Sequence, residues 1–357
     1  MSPRCRGAIA AVRASACTAA FVLAGCVTTY EASDLVDQPS KKSLVLPPSV
    51  TIPFGSDGSA SDSEFTRFYQ RVFERMQEAA SERDVDGLDL LLGSYDREDL
   101  PGPIRERVAG FRAIAGGLRF LQAAARSAKL VQLPTLVEGK AVPAVMGAPV
   151  RYELLLPALG EPYQLGGRDS DEPFSLSIAY VVTDTFVDGG TQSQKQRWLE
   201  YLPATVQLQG PAVLRIPIEI DVPAANAVQR VVRVRVDSVP CSVRSAAGVL
   251  PVSQGTIVRS ELAQWPVGYE AVRKEPLQQL KVALQAFEPR NFARAYLAAT
   301  FAPPEARVEV MGLLMEQVRL AQSDQAQVAM AAMKAIAEVD IAIGDRDAWL
   351  AWWQARR

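Results

Sequence analysis

The sequence predicts an α+β multidomain chain: an N-terminal helical bundle, an antiparallel β-sandwich and a C-terminal α-helical repeat. Two changes of hydrophobic period carry that expectation. Apolar residues recur every three to four positions over 62–130 and again over 276–357, whereas over 148–270 they alternate with other residues. The third observation is size. At 357 residues, 48% of them hydrophobic, the chain can fill two or three cores.

In 62–130, Phe65, Phe68, Val72 and Met76 form an apolar stripe that Tyr69 and Phe73 widen. Ser61 and Glu64 stand at capping-box spacing before it. A short second helix is expected over Val85 to Leu92. A third follows Pro103 with Val108, Phe111, Ile114, Leu118 and Leu121 inward. In 148–270, four segments alternate: Tyr152-Leu154-Leu156, Phe174 to Val182, Leu214 to Val222, and Val232-Val234-Val236. Half-buried antiparallel strands give that period. The stretch suits a sandwich of immunoglobulin-like size, with Pro217 on an edge strand.

Helical stripes return over 276–357. Leu277, Leu280, Leu284 and Phe287 make the first, before the break at Pro303-Pro304. Val308, Met311, Leu314, Met315 and Val318 make the second. Val328, Ala332, Ile336 and Val339 make the third. Asp345 is the expected N-cap of a last helix bearing Trp349, Trp352 and Trp353. This succession of short helices resembles HEAT-type α-solenoid repeats, and the resemblance implies two repeats and a cap.

The N-terminal residues have a different character. Arg4, Arg6 and Arg13 give a basic start without acids, and Ala14 to Ala24 is apolar but too short to span a bilayer. The run ends in Leu23-Ala24-Gly25-Cys26. These residues resemble the lipobox of bacterial lipoproteins. The resemblance implies a signal peptide over 1–25, cleavage between Gly25 and Cys26, and a diacylglyceryl group on the Cys26 thiol, which would anchor the chain to a membrane. Val27, where an aspartate would retain a lipoprotein in the inner membrane, implies the outer membrane, facing the periplasm. Residues 26–61, with Pro39, Pro47, Pro48 and Pro53, read as a flexible tether, in which Leu44-Val45-Leu46 has the makings of a short strand.

Composition excludes much chemistry. The chain has no histidine, which rules out Ser-His-Asp and Cys-His triads and histidine-bound zinc or haem. Cys5 and Cys17 fall in the signal segment, so acylation of Cys26 leaves Cys241 without a disulfide partner. The net charge of −2 argues against nucleic acid as a partner.

Several residue groups bear weighing as sites. Asp169, Asp171 and Glu172, with Asp184 and Asp188, offer oxygens of the kind calcium takes, but fit no known loop pattern; the alternative is solvated turns, with Asp188-Gly189-Gly190 as hairpin chemistry. Trp349, Trp352 and Trp353 read either as a carbohydrate or partner platform or, preferably, as a lid over the last helices. Cys241 reads as a small buried residue rather than a reactive thiol. Arg230, Arg233, Arg235 and Arg244 are candidates for a basic face. Gly116-Gly117 and Gly166-Gly167 lack the spacing of phosphate loops.

The expected function is a non-enzymatic, membrane-anchored envelope lipoprotein acting as a protein-interaction or assembly scaffold, with no catalytic residue, cofactor or metal. The alternatives are a histidine-free glycan hydrolase using two of Glu153, Glu161, Asp169, Asp171 and Glu172, and a calcium- or sugar-binding module.

Overall fold

The structure, a computed structural model, describes residues 60–95, 100–137, 140–142, 145–223, 225–320 and 323–356. Cys26, the signal segment, the Leu44-Val45-Leu46 run and the tether up to residue 59 lie outside the described residues. The fold is mixed α+β with antiparallel sheets and C-terminal helices. Contacts divide it into two compact units. One runs through Thr185 and resumes at Ser193–Val267; the other takes Phe186–Gln192 and the chain from Gly268.

The first unit opens with helices α1 (Ala60–Glu82), α2 (Val85–Gly93) and α3 (Gly102–Ser127). α1 begins one residue ahead of Ser61, the expected cap. Its inward stripe is Tyr69, Phe73, Met76 and Ala80, and Phe68 points to solvent. Phe73 stacks on Phe111 of α3 at 6.1 Å. Val85, Leu88 and Leu92 of α2 close this core with Ile104, Val108, Ile114 and Leu118 of α3. The Asp84 carboxylate caps α2 by accepting from the Gly87 N–H at 2.9 Å.

Thirteen strands are defined among the described residues. They are β1 (Lys129–Leu133), β2 (Thr135–Val137), β3 (Lys140–Val142), β4 (Val150–Pro157), β5 (Tyr163–Leu165), β6 (Ser175–Thr185) and β7 (Thr191–Tyr201), then β8 (Val206–Leu208), β9 (Val213–Ile220), β10 (Gln229–Ser238), β11 (Cys241–Ser245), β12 (Gly248–Val252) and β13 (Gly255–Gln264). They form sheets ordered β1-β4-β9, β13-β10-β6-β7 and β12-β11-β5-β8, with β2 and β3 as a separate pair. Pro217, which lacks an N–H for the ladder, is on the edge strand β9.

The inward residues of these strands make one core. Tyr152, Leu154 and Leu156 of β4 meet Ile216 and Ile218 of β9, Ile178 and Tyr180 of β6, and Val232, Val234 and Val236 of β10. α3 joins this core as well. Phe120 meets Tyr163 edge-on at 5.0 Å and Phe174 at 6.1 Å. A Cβ on Gly117 would stand 1.9 Å from the Pro251 carbonyl oxygen, and one on Gly116 2.8 Å from Leu250. The glycine pair therefore lets α3 lie directly on β12, a packing role with no phosphate involved.

In the second unit the chain from Gly268 forms α4 (Tyr269–Lys274), α5 (Pro276–Gln285), α6 (Pro289–Phe301), α7 (Arg307–Leu320), α8 (Ser323–Ala337) and α9 (Arg346–Gln354). Pro276 and Pro289 open α5 and α6 at positions where the absent N–H costs no hydrogen bond. The buried residues include many alanines (Ala293, Ala298, Ala299, Ala329 and Ala332) and methionines (Met311, Met315, Met330 and Met333), packed with larger side chains such as Leu280, Phe287, Phe292, Leu314 and Trp349. Val308, expected inward, is 77% exposed; α7 instead turns Val310, Met311, Leu314 and Val318 inward. Asp345 caps α9 as expected, accepting from the Ala348 N–H at 3.0 Å.

Candidate functional site

The loop from Gly166 to Phe174 bounds a polar cleft of about 190 Å³ on the sheet β12-β11-β5-β8. The floor is the outward face of that sheet. Gln164 of β5 lies opposite Arg244 of β11, and Ser242 is two residues back on the same face, while their neighbours Leu165 and Val243 point into the core. Gly166, Ser170, Asp171, Glu172 and Thr205 complete the lining.

Short-range bonds fix this loop. Phe174 donates its N–H to the Gly166 carbonyl at 3.0 Å, and Arg168 to Leu202 at 2.8 Å. Ser170 bonds the Gly167 carbonyl through both its N–H (3.0 Å) and its hydroxyl (2.7 Å). The Gly167 N–H donates to the Thr205 hydroxyl at 3.2 Å. A Cβ on Gly166 would approach the Glu172 carbonyl oxygen to 2.0 Å, and one on Gly167 the Ala204 carbonyl carbon to 2.6 Å. The glycines are required by close backbone packing of the wall. Arg244 Nη2 stands 3.9 Å from Glu172 Oε2, an ionic contact longer than a hydrogen bond.

The carboxylates singled out by sequence separate into different settings. Asp171 and Glu172 line the cleft; Asp169 is exposed and outside the lining. Asp188 accepts from the Gly190 N–H in the β6–β7 turn, with Gly189 at φ +82°. Asp184 is engaged by Arg230. Among the described residues no three histidine, cysteine, aspartate or glutamate side chains converge on a metal position, and of the calcium grouping Asp169, Asp171 and Glu172 only the last two line the cleft. Glu153 pairs with Arg215 at 2.8 Å on the outer face of β4, and Glu161 accepts from the Tyr163 hydroxyl at 3.4 Å; neither lines the cleft.

The four arginines do not share a face. Arg230 is buried at the end of β10 on the core side, where Asp184 takes its Nε and Nη2 at 2.6 and 2.8 Å and the Pro223 carbonyl takes Nη1 at 2.8 Å. Arg233 and Arg235 occupy the opposite face of β10, Arg233 bonded to Glu261 at 2.7 Å, and Arg244 belongs to another sheet. Strand alternation forces this split.

Cys241 packs against the sheet core, and burial pushes its thiol up to about 11, which disfavours the reactive thiolate. Trp349 is fully buried and donates to the Ala342 carbonyl at 3.2 Å; Trp352 meets it edge-on at 5.5 Å and is covered by the Arg356 guanidinium at 4.4 Å. Sequence reasoning missed Gln164, Thr205 and Ser242, which share the cleft lining with Glu172; Ser242 reaches it through the pairing of β11 with β5.

No protein-family model and no curated protein matches the chain. Among solved structures it is similar to Spo0M, a sporulation control protein from Bacillus subtilis, at 9% identity and a TM-score of 0.21, over 43% of this chain and 56% of that one. It is also similar to the Pseudomonas fluorescens alkylpurine DNA glycosylase AlkC bound to DNA containing an abasic site analogue, at 12% identity and a TM-score of 0.19, over 52% of this chain and 46% of that one. The chain thus spans about half the length of each, and likeness at these scores fixes neither its fold nor its function.

Proposed function

We propose that the chain is a bacterial envelope lipoprotein, acylated on Cys26 and held at the periplasmic side of the outer membrane, whose folded part works as a non-enzymatic interaction scaffold. The observation that carries this is the order of features before residue 27: a basic start, a short apolar run and Leu23-Ala24-Gly25-Cys26. Among the described residues no helix is long and apolar enough to cross a membrane. In this proposal the lipid on Cys26 supplies the attachment. In the same proposal the sheets around the shared core are a β-sandwich, α1–α3 a small bundle, and the helices from α5 a HEAT-like pair of repeats. The concave surfaces of such repeats suit protein partners, an inference by analogy of fold.

The test is expression of the full chain in a Gram-negative host fed an alkyne-bearing palmitate, beside the Cys26→Ala variant. Wild type is expected to take the label, to lose residues 1–25 and to fractionate with dense outer membranes. The variant is expected to be unlabelled and unprocessed at that bond. A variant that is processed normally and remains in the membrane fraction would overturn the proposal.

A further inference from the structure

We infer that the cleft walled by the Gly166–Phe174 loop binds a small zwitterion of the amino-acid type, one carboxylate and one ammonium on a short skeleton. This goes beyond the lipoprotein proposal and does not depend on it. Three observations on the cleft lead there. First, it is preformed. The hydrogen bonds and the two glycines described above hold its wall in one conformation, which lowers the ordering cost a ligand must overcome.

Second, it offers both signs of charge within a few ångströms. At 3.9 Å, Arg244 and Glu172 attract without closing a hydrogen bond, so the guanidinium fork and the carboxylate oxygens remain able to engage a ligand. A carboxylate can take the fork bidentately. An ammonium can be shared by Glu172 and Asp171, with the Gln164 amide and the Ser242 hydroxyl as further donors or acceptors on the floor.

Third, the lining disfavours other classes. A divalent cation would lack its six to eight oxygens and face the Arg244 guanidinium. A phosphate would face two carboxylates. A sugar would find no aromatic ring to stack on. At about 190 Å³ the cleft is smaller than the roughly 300–1,000 Å³ of drug-sized sites, which limits the ligand to a few heavy atoms.

The test is titration calorimetry on the full chain in detergent, with glycine, L-alanine and D-alanine as separate probes. Sodium acetate, ethylammonium chloride, glucose and calcium chloride are the controls. At least one zwitterion is expected to bind with a Kd of about 1 mM or tighter, and acetate and ethylammonium at least about tenfold more weakly, since each meets half of the site. Arg244→Gln and Glu172→Gln are each expected to lower affinity by about tenfold or more. Both side chains are substantially exposed, so far-UV circular dichroism and Tm should stay at wild-type values, separating lost binding from lost fold. The proposal is overturned if none of the three zwitterions binds at about 10 mM. Wild-type zwitterion affinity in Arg244→Gln overturns it too, as does binding of calcium or glucose that Glu172→Gln abolishes while no zwitterion binds.

Discussion

The two units fill their interiors with different side chains. In the β-rich unit the core is Val, Ile and Leu with Phe120, Tyr152, Tyr163 and Phe174, and α3 is pressed onto β12 through bare glycine backbone. In the helical unit the buried faces of α6 and α8 are rich in alanine, with Phe292 and Leu297 completing α6 and Val328, Met330, Met333 and Ile336 completing α8. Shape-defined cores interlock and leave little slack, whereas methionine has three rotatable bonds and adapts to its surroundings. The comparison teaches that substitutions of equal size should cost more in the first unit than in the second.

The largest expected effects come from the β-rich unit. Phe120→Ala empties a site fixed by two edge-on rings and should cost about 3–5 kcal/mol. Asp184→Asn leaves Arg230 charged and buried without its carboxylate, and a comparable loss of about 3–5 kcal/mol is expected in guanidinium melts. Gly117→Ala drives a methyl into the Pro251 carbonyl and should cost about 1–3 kcal/mol, despite the better helix propensity of alanine. Gly312→Ala in α7 meets nothing within 4 Å and should instead stabilise by about 0.5–1 kcal/mol. Opposite signs for these two helical glycines would sharpen the contrast; equal losses would break it. In the helical unit, Met330→Leu should cost less than about 1.5 kcal/mol, and a loss like that of Phe120→Ala would show that its core is as exacting as the other.

A pH-dependent effect concerns Cys241. Its thiol titrates at about 11 folded, against 9.0 as the ordinary value. The unfolded chain therefore releases the proton first, and this group's contribution to stability falls as pH rises from about 9 to 11 and is complete below that window. A thiol reagent at pH 8 should label Cys241 only after unfolding; rapid labelling of the native chain would contradict its burial.

Much of the secondary structure was legible because exposure follows alternation. β9 buries Leu214, Ile216, Ile218 and Ile220 and exposes Val213, Arg215, Pro217 and Glu219, as its period requires. β6 shows where alternation fails as a guide. Ser175, Ser177 and Ala179 read as a wet face, yet they are buried, since small side chains on an inner strand are covered by their neighbours. β7, Thr191 to Tyr201, carries too few apolar residues to announce itself; it is a strand because the Asp188-Gly189-Gly190 turn folds it back beside β6. α6 went unread for a related reason, its inward face being largely alanine. The cleft was half legible. Asp171 and Glu172 stood out as an acidic loop, but their partner Arg244 is about 70 residues away and arrives only through the β5–β11 register.

Helix α3 has a consequence for anyone who would divide this protein. Its first half is clothed by α1 and α2, its second half by strands that follow it in the chain. A truncation between residues 130 and 148 looks like a cut at a linker. It would strip Phe120, Leu121 and Ala124 of their surroundings and leave β12 facing solvent where Gly116 and Gly117 had covered it. Neither fragment would carry a complete interior, so the helices and sheets of this unit stand or fall together.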